Sequence, residues 1–341
     1  MVLLVALLAA ADGLALGQQA QSPVQTPPTT RTKEVSLLGG WMQDVDEHEA
    51  SASWELQYMQ SVGDHEAVSF GWLNEGHVDN HRRDGHSVQF WLRTKTLDDR
   101  LTLGMGLGPY RYFDTTIKAG DSSYSDDHGW GAIYSLDAAW QMNDRWVAHL
   151  RSNFLWAQSS INTRTLNLGF GYLLSADSNP PSTRGTEPET QARREEMNLL
   201  GGRTIVNSFS AEKSMAGYLD YRRSFARYLD WSVGLLNEGD PRLIRRNGLV
   251  TQVWAVRRFP ADSCSLGLGV GTYWAADSRR SSASGGDAPF LSGVITMSAA
   301  RWLSPKWQVR ASWNRIVTGY DRDTDVLLLG FGHSLGGTRF Y

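Results

Sequence analysis

From about residue 34 onward the chain alternates, residue by residue, between apolar side chains and small or polar ones. Leu101, Leu103, Met105 and Leu107 interleave with Thr102, Gly104, Gly106 and Gly108. Leu166, Leu168, Phe170 and Tyr172 interleave with Thr165, Asn167, Gly169 and Gly171, and Trp54, Leu56 and Tyr58 with Glu55 and Gln57. A period of two marks an extended strand with two unlike faces. The pattern predicts strands near 34–43, 51–61, 66–74, 87–96, 100–110, 130–142, 145–156 and 163–175. A second set lies near 197–208, 214–224, 227–238, 248–258, 263–274, 290–303, 306–317 and 324–335.

The connections separate a soluble sandwich, which also alternates, from a membrane barrel. Short ones fall around Gly63-Asp64, Leu97-Asp98-Asp99, Asn143-Asp144, Ala226, Pro260-Ala261 and Ser304-Pro305. Long ones span 74–86, 111–129, 237–247 and 275–289. Tight turns at one end and long polar loops at the other, with strands of about ten residues, are the pattern of a Gram-negative outer-membrane barrel. Aromatics near strand ends (Trp72, Tyr110, Trp130, Trp140, Trp146, Trp156, Tyr172, Tyr273, Trp302, Trp307) are expected in the interfacial girdles, and the chain closes on Arg339-Phe340-Tyr341. In a bilayer every backbone N–H and C=O must pair within the protein, so an all-strand span has to close on itself.

The two sets of strands repeat at an offset of roughly 162 positions. Leu38-Gly39-Gly40 returns as Leu200-Gly201-Gly202, Asn74-Glu75-Gly76 as Asn237-Glu238-Gly239, and Gly169-Phe170-Gly171 as Gly330-Phe331-Gly332. The fold class is therefore all-β, an antiparallel transmembrane β-barrel of sixteen strands from two eight-strand repeats, residues 33–175 and 197–341. Two closures stay open. A long Pro-, Ser- and charge-rich linker at 176–196, periplasmic by strand parity, suits two tandem eight-stranded barrels. Ten inward glycines, Gly104, Gly106 and Gly108 among them, suit one sixteen-stranded barrel with a wet lumen, which is the form favoured here. At the N-terminus, residues 1–17 resemble the apolar core and small-residue exit of a signal peptide, and 18–32 a disordered spacer.

Composition trims the function classes. Net charge is −3, with 20% charged residues, so no basic stripe suggests nucleic acid. Cys264 is the single cysteine, which excludes an intrachain disulfide. No apolar run reaches the ~20 residues of a transmembrane helix. The predicted lumen-lining set is Glu55, Gln57, Gln89, Arg93, Asp137, His149, Arg151 and Asn153, with Asp220, Arg222, Gln252, Arg310 and Asn314 in the second copy. In a wide pore these charges would select hydrated solutes; in a narrow barrel they would form a plug of ion pairs. Asn74, Glu75, Asn237 and Glu238 form a repeated motif at the outer rim, read as a turn only, in preference to a site where Glu75 and Glu238 bind a cation or a sugar hydroxyl. His77, His81 and His86 share a loop with Asp79 and Asp84, read as solvated in preference to a metal site, and no cofactor is expected.

Each copy resembles the lipid A 3-O-deacylase barrels in strand count and in the Ser/Trp-Asn step of strand seven, Ser152-Asn153 and Trp313-Asn314. That family uses a His-x-Ser pair with an acid. Here the segment reads His149-Leu150-Arg151-Ser152-Asn153, and a separation of three puts His149 and Ser152 on opposite faces. The second copy reads Arg310-Ala311-Ser312, without the base. No catalytic residue carries over, and enzymatic activity is not the favoured expectation. The expected role is a channel for passage or export of polar solutes, including polysaccharide. The alternatives are a non-conducting barrel that modifies or binds lipid, or a structural or adhesive surface protein. Outer-membrane lipid and the barrel-assembly machinery are the expected partners.

Overall fold

The computed structural model describes residues 32–117, 124–174, 194–240, 246–259, 263–277 and 291–335. The signal peptide, the spacer, most of the linker and the closing Arg339-Phe340-Tyr341 lie outside them. The described chain is all strand in its regular structure, and the chain divides into two compact units.

The first unit holds β1 (Lys33–Asp44), β2 (Ala50–Ser61), β3 (Glu66–Val78), β4 (His81–Thr96), β5 (Leu101–Ile117), β6 (Tyr124–Gln141), β7 (Trp146–Ala157) and β8 (Thr163–Leu174). The second holds β9 (Glu195–Val206), β10 (Lys213–Ala226), β11 (Leu229–Asn237), β12 (Arg246–Phe259), β13 (Cys264–Asp277), β14 (Leu291–Trp302), β15 (Trp307–Val317) and β16 (Thr324–Ser334). Glu195 and Glu196, expected in the linker, open β9.

Of the two closures, the tandem one is present, which corrects the preference for a single wide barrel. Neighbouring strands pair antiparallel, and each set of eight closes on itself. Across the first seam Leu37 faces Phe170, and across the second Leu199 faces Phe331. The inward glycines do not widen a lumen; they make room in a narrow one. A Cβ on Gly106 would stand 2.7 Å from the Trp91 indole, and one on Gly269 would stand 2.7 Å from Trp254. Two inward tryptophans therefore fill the space that the glycines vacate.

Parity along the strands sorts the walls. Leu168, Leu329, Phe170 and Phe331 point outward and are exposed, whereas Gln89 and Asn153 are buried inside. On β6 Trp130 and Trp140, and on β7 Trp146 and Trp156, bracket outward Leu136, Leu150 and Phe154. Ten residues at about 3.3 Å each, tilted about 40°, span roughly 25 Å, the height of the apolar band of an outer-membrane barrel. Tyr110 and Tyr273 depart from the girdle expectation: both are fully buried inside.

The long loops of the first copy are also corrected. β3 and β4 continue to Val78 and from His81, and β5 and β6 continue to Ile117 and from Tyr124. Strand pairing proceeds past the girdle because Arg82 still faces Thr115, and Thr115 faces Asp126. The outer end of this barrel is a palisade of extended hairpins.

Candidate functional site in the barrel interiors and at the outer rim

Every lumen position predicted from the alternation lies on an inward face, and the side chains meet one another across the barrel. In the first barrel a chain of charge runs over four strands. Glu34 bonds His149 at 2.7 Å, and His149 reaches Asp137 at 3.1 Å. Asp137 accepts from Arg151 Nε at 3.1 Å, and Arg151 Nη1 donates to Glu55 at 2.8 Å. A second, neutral layer joins it. Gln89 donates to Ser135 at 2.7 Å, Ser135 to Asn153 at 2.6 Å, and Asn153 to both Glu55 and Thr165. Gln57 bridges Glu55 and Gln89. Trp91 closes the section: its indole donates to Ser69 at 2.8 Å and carries the Arg151 guanidinium 5.0 Å from its ring. Arg93 lies nearer the periplasmic end and donates to Ser61 at 2.5 Å.

The second barrel keeps the neutral layer and rewires the charges. Gln252 donates to Thr296 at 2.7 Å and Thr296 to Asn314 at 2.8 Å, mirroring Gln89, Ser135 and Asn153. Trp254 donates to Ser232 at 2.9 Å, mirroring Trp91 and Ser69. The cation on the indole now comes from another strand, with Arg222 of β10 3.9 Å from the ring. Arg222 and Arg258 share Asp230 at 3.0 and 2.8 Å. Asp220 accepts from Asn198 at 3.1 Å, and Arg310 pairs with Glu196 at 2.7 Å. A buried charge without a partner costs several kcal/mol: Arg222, Arg258 and Arg310 each keep a carboxylate, while Asp220 is held by the neutral donors Asn198 and Tyr218.

The rim motif makes the local bend that its Asn and Gly favour, and its glutamates do more than turn the chain. Gly76 and Gly239 have φ of 77° and 75°, and the Asn74 and Asn237 side chains accept from their backbone N–H groups at 3.0 and 2.6 Å. The feature is a bend within or at the end of a strand, with Glu75 and Glu238 turned inward and fully buried. Neither carboxylate is free for a cation or sugar. Arg83 forks onto Glu75 at 2.6 and 2.7 Å, and Arg246 forks onto Glu238 at 2.6 and 2.9 Å. Tyr110 donates to Glu75 at 2.9 Å, and Thr163 also donates to it. Thr324 donates to Glu238 at 2.5 Å. The free guanidinium edges reach the β7–β8 connection through Ser160 and Ile161, and the β15–β16 connection through Tyr320 and Arg322. Each clamp thus ties one hairpin, β3–β4 or β11–β12, to the β7–β8 or β15–β16 connection across the outer mouth.

Sequence reasoning missed Arg83, Arg246, Trp91 and Trp254 as interior groups. The duplication held the signal: in both copies an arginine follows the motif glutamate by eight positions. The loop histidines diverge. His81 bonds Asp114 at 2.7 Å, whereas His86 stacks on Phe70 and meets Phe113 edge-on. His81 stands beyond the girdle, and its hydrogen bond to Asp114 raises its pKa against the opposing effect of burial.

No family model and no curated protein match the chain. Among solved structures, the N-terminal barrel domain of Pseudomonas aeruginosa OprF is 10% identical over 42% of this chain and 96% of its own, with a TM-score of 0.35. Ail of Yersinia pestis is 12% identical over 42% and 97%, at 0.33. A Pseudomonas aeruginosa FadL homologue is 8% identical over 89% and 88%, at 0.21. Likenesses this faint carry no weight; the strands and the exterior do. Closed antiparallel barrels with an apolar band between tryptophan girdles define an integral outer-membrane β-barrel protein. Within that class the chain is a tandem of two eight-stranded barrels, each with a side-chain-filled interior.

Proposed function

We propose that the protein is a sealed, non-conducting pair of outer-membrane barrels whose work is done at the lipid-facing wall and the outer rim. The supporting observation is the filled cross-section, Trp91 with Arg151 in one barrel and Trp254 with Arg222 in the other. An eight-stranded barrel has an interior just wide enough for its own side chains. Passage of hydrated solutes or polysaccharide needs the wide closure. A deacylase reading finds no support either, because His149 is buried in the lumen and Ser152 lies on the outer wall. Assembly by the barrel-assembly machinery is part of this reading.

Reconstitution in a planar bilayer tests it. A sealed pair adds no stepwise conductance at any protein load, while discrete steps that scale with added protein would overturn the proposal.

A further inference from the structure

The two copies differ most tellingly on the outer wall near the rim. In the first barrel Trp41, exposed, faces outward at the outer girdle, and Trp54 lies on the next strand opposite Gly39. Trp54 packs edge-on against Trp72 at 4.2 Å. In the second barrel the matching positions are Arg203 and Gly217, with Gly217 directly opposite Gly201. An added Cβ would meet nothing within 4 Å at Gly217, and only the Ala216 carbonyl at 3.9 Å at Gly201. Two bulky aromatics have been replaced by an open dent with a cation above it.

The cation is not spent on the protein. Among the described residues the Arg203 side chain makes no hydrogen bond or ion pair, and the same holds for Lys213. Both are exposed on the outward face. Met215 faces Arg203 directly and Lys213 faces Ile205, so Arg203 and Lys213 are diagonal neighbours, about 7–8 Å apart at their Cα atoms. The acid on this side is Asp325, opposite Ile205 on β16. It is already engaged by Arg315 at 2.7 and 3.0 Å and by the Trp313 indole at 2.7 Å. Beside and below the cations the wall is greasy, with Met215 72% and Leu199 69% exposed.

We propose that this face of the second barrel holds one phosphorylated lipid of the outer leaflet. Arg203 and Lys213 grip its phosphate, and an acyl chain lies in the Gly201–Gly217 dent. An unpaired guanidinium at headgroup depth calls for an anion, and planar Arg with a neighbouring Lys suits phosphate. The matching wall of the first barrel is aromatic, and its exposed cation at this level, Arg164, already donates twice to the Gln43 side chain. The inference rests on the membrane reading of the exterior but not on the sealed lumen, so a conducting protein would leave it standing.

The test is native mass spectrometry of the full protein released from detergent micelles. Diphosphorylated lipid A and its phosphate-free form are the probes. The wild type should retain one copy of the phosphorylated probe in preference to the phosphate-free one. Arg203→Gln with Lys213→Gln should weaken that retention about tenfold. Gly217→Trp, for which the wall has room, should weaken both probes, and Trp41→Ala in the first barrel should change neither. Heat-modified gel mobility checks that every variant is folded. Equal retention of both probes by the wild type, or unchanged retention after loss of both cations, overturns the proposal, as does self-association through this face that excludes lipid.

Discussion

Removing the Glu75 carboxylate puts the rim clamp to a quantitative test. Arg83 is only 2% exposed, and its fork onto Glu75 supplies two of its contacts, at 2.6 and 2.7 Å. Breaking a buried pair by deleting one member costs about 3–5 kcal/mol, chiefly through the charge left behind. Here Ser160, Thr163 and the Ile161 carbonyl still accept from the guanidinium, which places Glu75→Ala near the lower end, about 3 kcal/mol. That is roughly a 150-fold change in the folding equilibrium. Glu75→Leu combined with Arg83→Met removes both charges and should recover most of the loss. The assay is urea unfolding of protein folded into phospholipid vesicles, with each barrel followed by its own segment-specific hydrogen exchange. Glu75→Ala should lower the first barrel's midpoint and leave the second's unchanged, and Glu238→Ala should do the converse. If both barrels respond to either variant, or if Glu75→Ala is harmless, the clamp is not what holds the outer mouth.

The same walls set further expectations. Leu168→Arg or Leu329→Arg puts a charge on the lipid face, should cost ~2–4 kcal/mol and should block assembly, read as loss of heat-modified gel mobility; normal mobility would reverse the facing assignment. Gly106→Leu drives a side chain into Trp91 and should prevent assembly although leucine is apolar and the site faces inward. Gln89→Arg, harmless in a wide pore, should also destabilise, because Gln89 is buried between Ser135 and Gln57. His81 adds a pH dependence at the outer hairpins. Its pKa is raised by Asp114, so the pair's stabilisation is complete below the ordinary histidine value and is lost as pH climbs through the raised one. Hydrogen exchange of the paired segments 81–84 and 113–116 should show protection fading over that rise, and His81→Phe should abolish the dependence. An unchanged profile in the variant removes His81 as its source.

The strands and both faces could be read from the chain because alternation is a local property: every Leu-Gly step along 101–108 repeats one physical rule. Closure could not, since whether β1 meets β8 or β16 depends on curvature summed over eight strands. The glycines misled for a related reason. Gly106 is as consistent with an empty lumen as with one filled by Trp91, and only the neighbouring strand decides. The rim motif was read as a turn because Asn and Gly favour turns, yet the bulge at Gly76 lets the hairpin run on. Arg83 was legible in the duplication, as the first of two arginines that stand eight positions after the motif glutamates; its buried fork onto Glu75 was not, because that depends on the inward turn of the bend.

Strand pairing at the seams is the most direct measurement. In a background with Cys264 replaced, Leu37→Cys with Phe170→Cys, and Leu199→Cys with Phe331→Cys, place thiols on directly opposed residues. Opposed antiparallel residues lie about 4.5–5.5 Å apart at Cα, within disulfide range. Two closed barrels predict that these two pairs oxidise to completion while Leu37→Cys with Phe331→Cys stays reduced. Cross-linking of 37 to 331 and of 170 to 199, with the seam pairs unreactive, would contradict the two-barrel account and restore a single wide one.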